Sequence, residues 1–303
     1  VKILVVGGSS FSGTAFIALA RTAGHWVTDL SRPDFDLNGN LPQAAGAMID
    51  VGYENVVNFA ALNMVGESWE HAADYYRTNL AGIAALAAAA DGRRLRRFVQ
   101  VSTPEVYGTT ETYLKEGAPF RPSTPYANSR AAADAHLALL HRQFGFPVCF
   151  TRTVNVYGPG QQPYRIVPKT AVCALSGKVL PLHGGGHSTR SFIHVRDAMN
   201  AVLRVLEDGR DGETYHVATS RETTIRDLVG MVAERCGKRL GEVAVDALDR
   251  PGKDLAYQLD DAKIRAELGW SDVVPLEAGL DEAVDWVRRN LGSIGEAAYR
   301  HKP

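Results

Sequence analysis

Lys2-Ile3-Leu4-Val5-Val6-Gly7-Gly8-Ser9-Ser10-Phe11-Ser12-Gly13 decides how the chain folds. Its apolar, β-branched first half has the composition of a strand buried on both faces. A glycine turn follows at once, and Thr14 to Ala23 carries the spacing of an amphipathic helix. Strand, glycine turn and helix in this order suit a dinucleotide, because turn N–H groups and a helix N-terminus face a pyrophosphate. Gly7 and Gly13 hold two of the expected glycine places, and Ser10 stands at the middle one. The Ser10 side chain is expected there to crowd the diphosphate. Gly7, Ser9, Ser10, Phe11, Ser12 and Gly13 are therefore candidate cofactor residues, with a plain strand-to-helix turn as the alternative.

Outward from this unit, the second strand is expected to end at Val27 to Leu30. An acid there would accept hydrogen bonds from the adenosine ribose. Ser31 falls at the expected place and Arg32 follows it. A hydroxyl beside a guanidinium suits a 2′-phosphate, so the choice between NAD and NADP leans to NADP. Asp29 and Asp34 would reverse this under a different strand register, and Arg32 would then be a solvated loop charge. Asp36 and Leu37 are expected to close the adenine pocket. Asn55 to Ala61 reads as another buried strand, and the small residues at its end (Ala60-Ala61, after Phe59) let backbone approach a cofactor, which makes Phe59, Ala60 and Ala61 candidates too.

Trp69 to Ala90 reads as one long helix holding Tyr75, Tyr76 and Asn79. The apolar run Arg97 to Val101 then opens into Ser102-Thr103-Pro104-Glu105-Val106-Tyr107-Gly108, a hydroxyl pair and a carboxylate at a strand's C-terminal end. Pro125 starts a second helix, Tyr126-Ala-Asn-Ser-Arg130, which continues through an alanine-rich run to Gln143. Tyr126 and Arg130 share a helical face. A cation near a phenol favours phenolate, so Tyr126 is expected to exchange a proton near neutral pH. An ordinary surface helix is the alternative. Val148 to Val154 is the next strand, running into Asn155-Val-Tyr-Gly-Pro159. Strands alternating with helices argue an α/β fold with a parallel sheet.

The character changes after Pro159. Prolines at 163, 168 and 181 and the run Gly184 to Arg190 mark loops. Ser191 to Val195 is expected as a strand and Val195 to Leu206 as a helix. Thr214 to Ala218, the helix Thr224 to Cys236 and Asp249 to Gly252 are assigned to a smaller lobe. Ile264 to Leu268 and Leu276 to Leu291 are closing helices.

The chain has 303 residues, 45% hydrophobic and 22% charged, with formal net charge -1 and pI about 6.8. This composition suits a globular protein and carries no field that would draw nucleic acid or an anionic membrane. Cys149, Cys173 and Cys236 are odd in number and in no metal spacing, which suits a reducing compartment. No secretory signal is read, so a cytoplasmic location is expected. The apolar run Leu80 to Ala90 is interrupted by Gly82 and too short to span a bilayer. His71, His136, His141 and His216 are scattered, and no metal is expected.

Taken together, these motifs resemble the extended short-chain dehydrogenase/reductase family, in its nucleotide-sugar, NAD-dependent epimerase/dehydratase branch. The likeness runs through Gly7 to Gly13, Asn58 to Ala61, Asn79 to Gly82, Ser102 to Gly108, Tyr126 to Arg130, Asn155 to Pro159, Gly186 to Arg190, Arg250-Pro-Gly252 and Leu268-Gly-Trp270. It implies a Rossmann-type doubly wound parallel sheet over 1–158, with 190–215 returning to it, and a smaller C-terminal α/β substrate domain over 159–303. It implies Tyr126 as base on the sugar hydroxyl, Thr103 bonded to the same oxygen, and a cation at 130 holding the nicotinamide ribose. The family has Lys where this chain has Arg130, which is planar and bulkier. Thr103-Pro104-Glu105 resembles the Thr-x-Glu of sugar-nucleotide 4,6-dehydratases and UDP-glucuronate decarboxylases. In the dehydratases that Glu removes the C5 proton. Pro104 stands where dTDP-glucose dehydratases have an Asp, so Glu105 would serve as both base and acid. Asn155 and Arg190 are implied on the diphosphate, Arg250 nearby, His183 against the base, and Lys169 as added charge.

The function so implied is a 4,6-dehydratase with tightly bound NAD or NADP, acting on a nucleotide-diphosphate sugar. An epimerase or decarboxylase of the same family, and a catalytically impaired sugar-nucleotide-binding protein, are the alternatives. The resemblance also implies a homodimer through the Trp69 to Ala90 and Tyr126 to Gln143 helices.

Overall fold

The computed structural model describes residues 1–90, 94–110, 112–249, 256 and 258–294. In chain order the first half contains β1 (Lys2–Val6), α1 (Phe11–Thr22), β2 (Trp26–Leu30), α2 (Leu41–Asp50), β3 (Asn55–Asn58), α3 (Ala72–Tyr76), α4 (Ile83–Ala90), β4 (Arg97–Ser102), α5 (Pro125–Phe144) and β5 (Val148–Thr153). There follow β6 (Asn155–Tyr157), α6 (Ile166–Ser176), β7 (Leu180–His183), β8 (Thr189–His194), α7 (Val195–Asp208), β9 (Thr214–Val217), β10 (Glu222–Thr224), α8 (Ile225–Arg235), α9 (Leu240–Val243), β11 (Ala244–Ala247), α10 (Ala262–Leu268) and α11 (Leu276–Asn290).

Six strands pair in the order β2-β1-β3-β4-β5-β9, all parallel. Strand residues alternate between two faces, and both faces are buried. Ile3, Val5, Val57 and Val99 pack with Phe16 of α1 and Ala198 and Val202 of α7. Leu4, Val6, Val56 and Phe98 pack on the other side with Leu41 of α2, Ile83 of α4 and Leu137 of α5. The sheet is therefore doubly wound. Its strand order reverses between β1 and β3, so a crevice opens beyond their carboxyl ends. Loops leaving β1, β2, β3, β4 and β5 all emerge at that edge.

Three elements differ from the sequence reading. Helix α1 begins at Phe11, ahead of Thr14, because Ser10 caps it: its Oγ accepts from Gly13 N at 3.1 Å and donates to Gly7 O at 2.7 Å. The helix expected from Trp69 to Ala90 is broken into a 3₁₀ turn (Glu67–Trp69), α3, a π-helical stretch (Arg77–Gly82) and α4. The buried Asn79 sits in the π stretch, accepting from Leu62 N (2.8 Å) and donating to Leu62 O and Ser129 Oγ (both 3.0 Å). These bonds draw the helix towards its neighbours at the cost of regular winding. Thr214 to Val217, assigned to the smaller lobe, is the edge strand of the central sheet, where Tyr215, His216 and Val217 are fully buried beside β5.

At Val154 the chain leaves the large sheet. Strand β6 pairs in parallel with β8, β8 pairs antiparallel with β10, and β7 pairs with β11. Helices α6, α8 and α11 close a separate core around Val167, Val172, Leu228, Val232 and Leu280.

Candidate active site

The glycine turn is held by its neighbours. Gly7 adopts φ 78°, and a Cβ there would lie 2.7 Å from Ala60 N; at Gly13 it would lie 2.5 Å from Gly7 O. Both places need glycine. Gly8 N donates to Asp29 Oδ1 (3.0 Å), Ser31 Oγ donates to the same oxygen (2.5 Å), and Ser9 N donates to Ser31 Oγ (3.1 Å). Ser10 does not crowd the approach as expected, since its hydroxyl is folded back into the helix cap. The N–H groups of Phe11 and Ser12 occupy the first turn of α1, where no intrahelical acceptor exists. This is the chemistry a pyrophosphate requires, so the turn fits a dinucleotide.

Register places Asp29 opposite Val5 inside β2 and Ser31 just past the strand. Arg32 borders a cavity of about 210 Å³ with Asn38, Leu62, Tyr75 and Thr78. Asp36 shapes its loop by accepting from Asn38 N at 2.8 Å, and Leu37 is buried against Gly82. Phe59 N donates to Val6 O, and the Phe59 ring meets Phe16. Ala60 is anchored by Asn58 Oδ1, and Ala61 follows it towards the crevice.

Thr103 caps the 3₁₀ turn Pro104–Tyr107 at the end of β4, and its hydroxyl lies near enough to the Tyr126 phenol to favour its ionised form. Tyr126, second residue of α5, is 7% exposed and lies edge-to-face with Tyr75 at 6.2 Å. Glu105 is half-buried, and its charge reaches the phenol. Thr103, Glu105 and Tyr126 thus converge. Burial, and then Glu105, push the Tyr126 phenol up to about 12, while Arg130, Thr103 and Arg165 pull it down more weakly. Easy exchange near neutral pH is therefore not a property of this site as it stands; desolvation outweighs the cation. Arg130 is buried, and its guanidinium donates to the Val101 carbonyl.

On the other side of the crevice, Asn155 donates to Ser191 O at 3.4 Å and Arg190 donates to Thr189 O at 2.8 Å, on the paired strands β6 and β8. Lys169 lies on α6, half-buried. His183 ends β7 and bonds Leu248 O at 2.8 Å. Arg250 lies outside the described residues. Arg165, which the motifs did not single out, precedes α6, lies 5.6 Å over the Tyr164 ring and acts by charge on Tyr126. Its one sequence signal was a cation next to an aromatic just past Pro163.

Residues 3–218 match the NAD dependent epimerase/dehydratase family. A dTDP-glucose 4,6-dehydratase of Streptomyces niveus is 37% identical over 315 aligned positions, covering 96% of this chain and 94% of that one. Among solved structures, the DesIV double mutant, a dTDP-glucose 4,6-dehydratase from Streptomyces venezuelae with NAD bound, superposes with TM-score 0.89 at 31% identity, over 97% of this chain and 98% of that one. The UDP-glucose 4-epimerase of Thermus thermophilus, in complex with NAD, gives TM-score 0.87 at 26% identity, over 95% and 99%. With its parallel sheet, glycine turn and Thr103–Glu105–Tyr126 cluster, the chain belongs to the NAD-dependent epimerase/dehydratase family of extended short-chain dehydrogenases/reductases.

Proposed function

We propose that the chain is a nucleotide-sugar 4,6-dehydratase, converting an NDP-hexose to the NDP-4-keto-6-deoxyhexose. One observation carries the reading: Thr103, Glu105 and Tyr126 meet at the carboxyl edge of the sheet, beside the dinucleotide turn. A nicotinamide dinucleotide held by the Gly7 to Gly13 turn and Arg130 would supply the hydride acceptor for sugar C4 and the donor for C6, so no external oxidant would be consumed. Tyr126 takes the C4 hydroxyl proton as its phenolate, the form that Arg130 and the positive charge of an oxidised nicotinamide favour against the burial that raises its pKa, and Thr103 bonds the same oxygen. The new ketone acidifies C5, and Glu105 removes that proton. Glu105 then protonates the departing C6 hydroxyl, because Pro104 beside it has no proton to give. Tyr126 finally returns its proton to C5. Atoms balance as the loss of one water.

Asn155 and Arg190 are proposed to hold the diphosphate, with Lys169, His183 and Arg250 contributing at the nucleotide end. Arg130 is proposed at the nicotinamide ribose, and the turn from Gly7 to Gly13 at the pyrophosphate. Arg32, which borders the cavity with Asn38 and Thr78, and Ser31 before it support NADP as the preferred dinucleotide. A cytoplasmic homodimer is proposed, joined along the exposed small residues Ala81, Ala85 and Ala88 and the exposed Ala135 and Leu139 of α5.

The test is incubation of dinucleotide-loaded protein with dTDP-glucose, UDP-glucose, CDP-glucose or GDP-mannose, followed by mass spectrometry. Loss of one water is expected. Isomerisation without mass change would make the chain an epimerase, and carbon dioxide from UDP-glucuronate a decarboxylase. Tight sugar-nucleotide binding with no turnover would make it a binding protein.

A further inference from the structure

We propose that Arg152 is a positioning residue that ties the Tyr126 helix and the Glu105 turn into one unit; this rests on the dehydratase reading. Arg152 sits on β5, behind the crevice, with its side chain 4% exposed. Its Nη2 donates to Asp134 Oδ2 at 3.1 Å, and Ser102 Oγ donates to the same oxygen at 2.8 Å. Asp134 is fully buried on α5, on the face that also carries Tyr126 and Arg130, since the three are spaced by four residues. Ser102 immediately precedes Thr103. One carboxylate therefore joins the Tyr126 face of the helix to the strand end that bears Thr103.

The other arm of the guanidinium reaches the Glu105 turn. Nη1 donates to the Tyr107 hydroxyl at 2.5 Å, and the guanidinium lies over the Tyr107 and Phe120 rings at 5.0 and 4.8 Å. Tyr107 belongs to the same short turn as Glu105. His216 Nδ1 faces the carbonyl of Asp260 at 3.2 Å and so holds the ring proton, leaving Nε2 to accept from Tyr107 at 2.8 Å. The phenol is thus held by Arg152 and His216, and also faces the Glu116 carbonyl at 3.2 Å, which fixes where Glu105 leaves the backbone.

This network is a poor device for stability alone. Asp134 Oδ1 and Arg152 Nε are buried with no hydrogen-bond partner among the described residues. Burying an incompletely satisfied ion pair costs more than a well-packed apolar pair would. What it supplies is geometry: Ser102 and Tyr107 mark the two ends of the segment that carries Thr103 and Glu105.

Replacing Arg152 itself risks misfolding, so the test deletes one hydroxyl at each end and leaves the ion pair in place. Stopped-flow absorbance follows reduced nicotinamide, and mass spectrometry follows water loss. Ser102→Ala is expected to slow formation of the reduced dinucleotide about 10-fold, with KM within about 2-fold. Tyr107→Phe is expected to leave that step within about 2-fold and to slow water loss about 10-fold, so reduced dinucleotide accumulates. Equal slowing of both steps by both variants, or a change in thermal stability alone, overturns the proposal. Wild-type protein that turns over no nucleotide sugar defeats the dehydratase reading instead. The ¹³Cζ resonance of Tyr126 then decides positioning: it moves in Ser102→Ala in the direction seen for Thr103→Val, and an unmoved resonance overturns the proposal.

Discussion

The guanidinium of Arg130 donates to the backbone carbonyl of Val101, on the strand that ends at Ser102. The cation that stands in the place of the family's lysine is therefore also a brace between α5 and β4. A lysine keeps the charge and reaches as a single point. Arg130→Lys is predicted to keep the fold and to turn over within about threefold of wild type. Arg130→Met removes charge and brace together, costing about 1 kcal/mol of stability and about 100-fold in kcat. Urea unfolding and turnover measured on the same preparations check both.

Glu105 is assigned two proton transfers, and its neighbour Pro104 assists neither. Glu105→Gln keeps shape and loses the base. Water loss is predicted to fall about 1000-fold or more, while hydride still leaves C4, so absorbance of reduced dinucleotide rises on adding sugar and stays. A variant that releases 4-keto-6-deoxy product at near the wild-type rate removes Glu105 from the chemistry.

Arg32 stands just past Ser31, whose hydroxyl is held by Asp29 and Ser9. A charge-assisted contact to a 2′-phosphate contributes about 1.5–3 kcal/mol. Arg32→Ala is predicted to weaken NADP about 10- to 100-fold and to leave NAD within about twofold. Calorimetric titration of dinucleotide-free protein with each cofactor reads the difference directly. Equal weakening of both shows that Arg32 does not see the 2′ position.

His216 is fully buried, and burial first, then Arg152, lowers its pKa from 6.5 to about 3. The unfolded chain takes up a proton near 6.5, and the folded chain does so only near 3. Its contribution to stability is full above about 6.5 and is lost as pH falls to about 3, at up to about 1.4 kcal/mol per pH unit. His216→Gln keeps a side-chain acceptor for Tyr107 and removes the titration. Urea midpoints at neutral and mildly acidic pH should differ less in the variant than in wild type.

The order of strands and helices was legible because it is written in local signals. Ile3 to Val6 and Arg97 to Val101 are apolar runs that only burial satisfies, and Gly7 and Gly13 mark a turn whose backbone contacts exclude a side chain. The break in the helix before Ala90 was not legible. Nothing local to Asn79 shows that its amide will reach Leu62 and Ser129 and unwind the turn around it. The edge strand at Thr214 was misplaced for a similar reason, since its partner in β5 lies more than fifty residues earlier.

By itself the sequence determined which residue types stand where the crevice opens: a hydroxyl and a carboxylate after one strand, a phenol and a cation on one helical face. These follow from strand and helix periods, which are properties of neighbouring residues. Only the tertiary structure decided how those groups behave. The Tyr126 phenol is driven up because packing removes water from it and brings Glu105 close, and Asp29 is drawn into the glycine turn because β1 and β2 lie side by side. Desolvation and charge act through space, and distances across space are set by the packed fold.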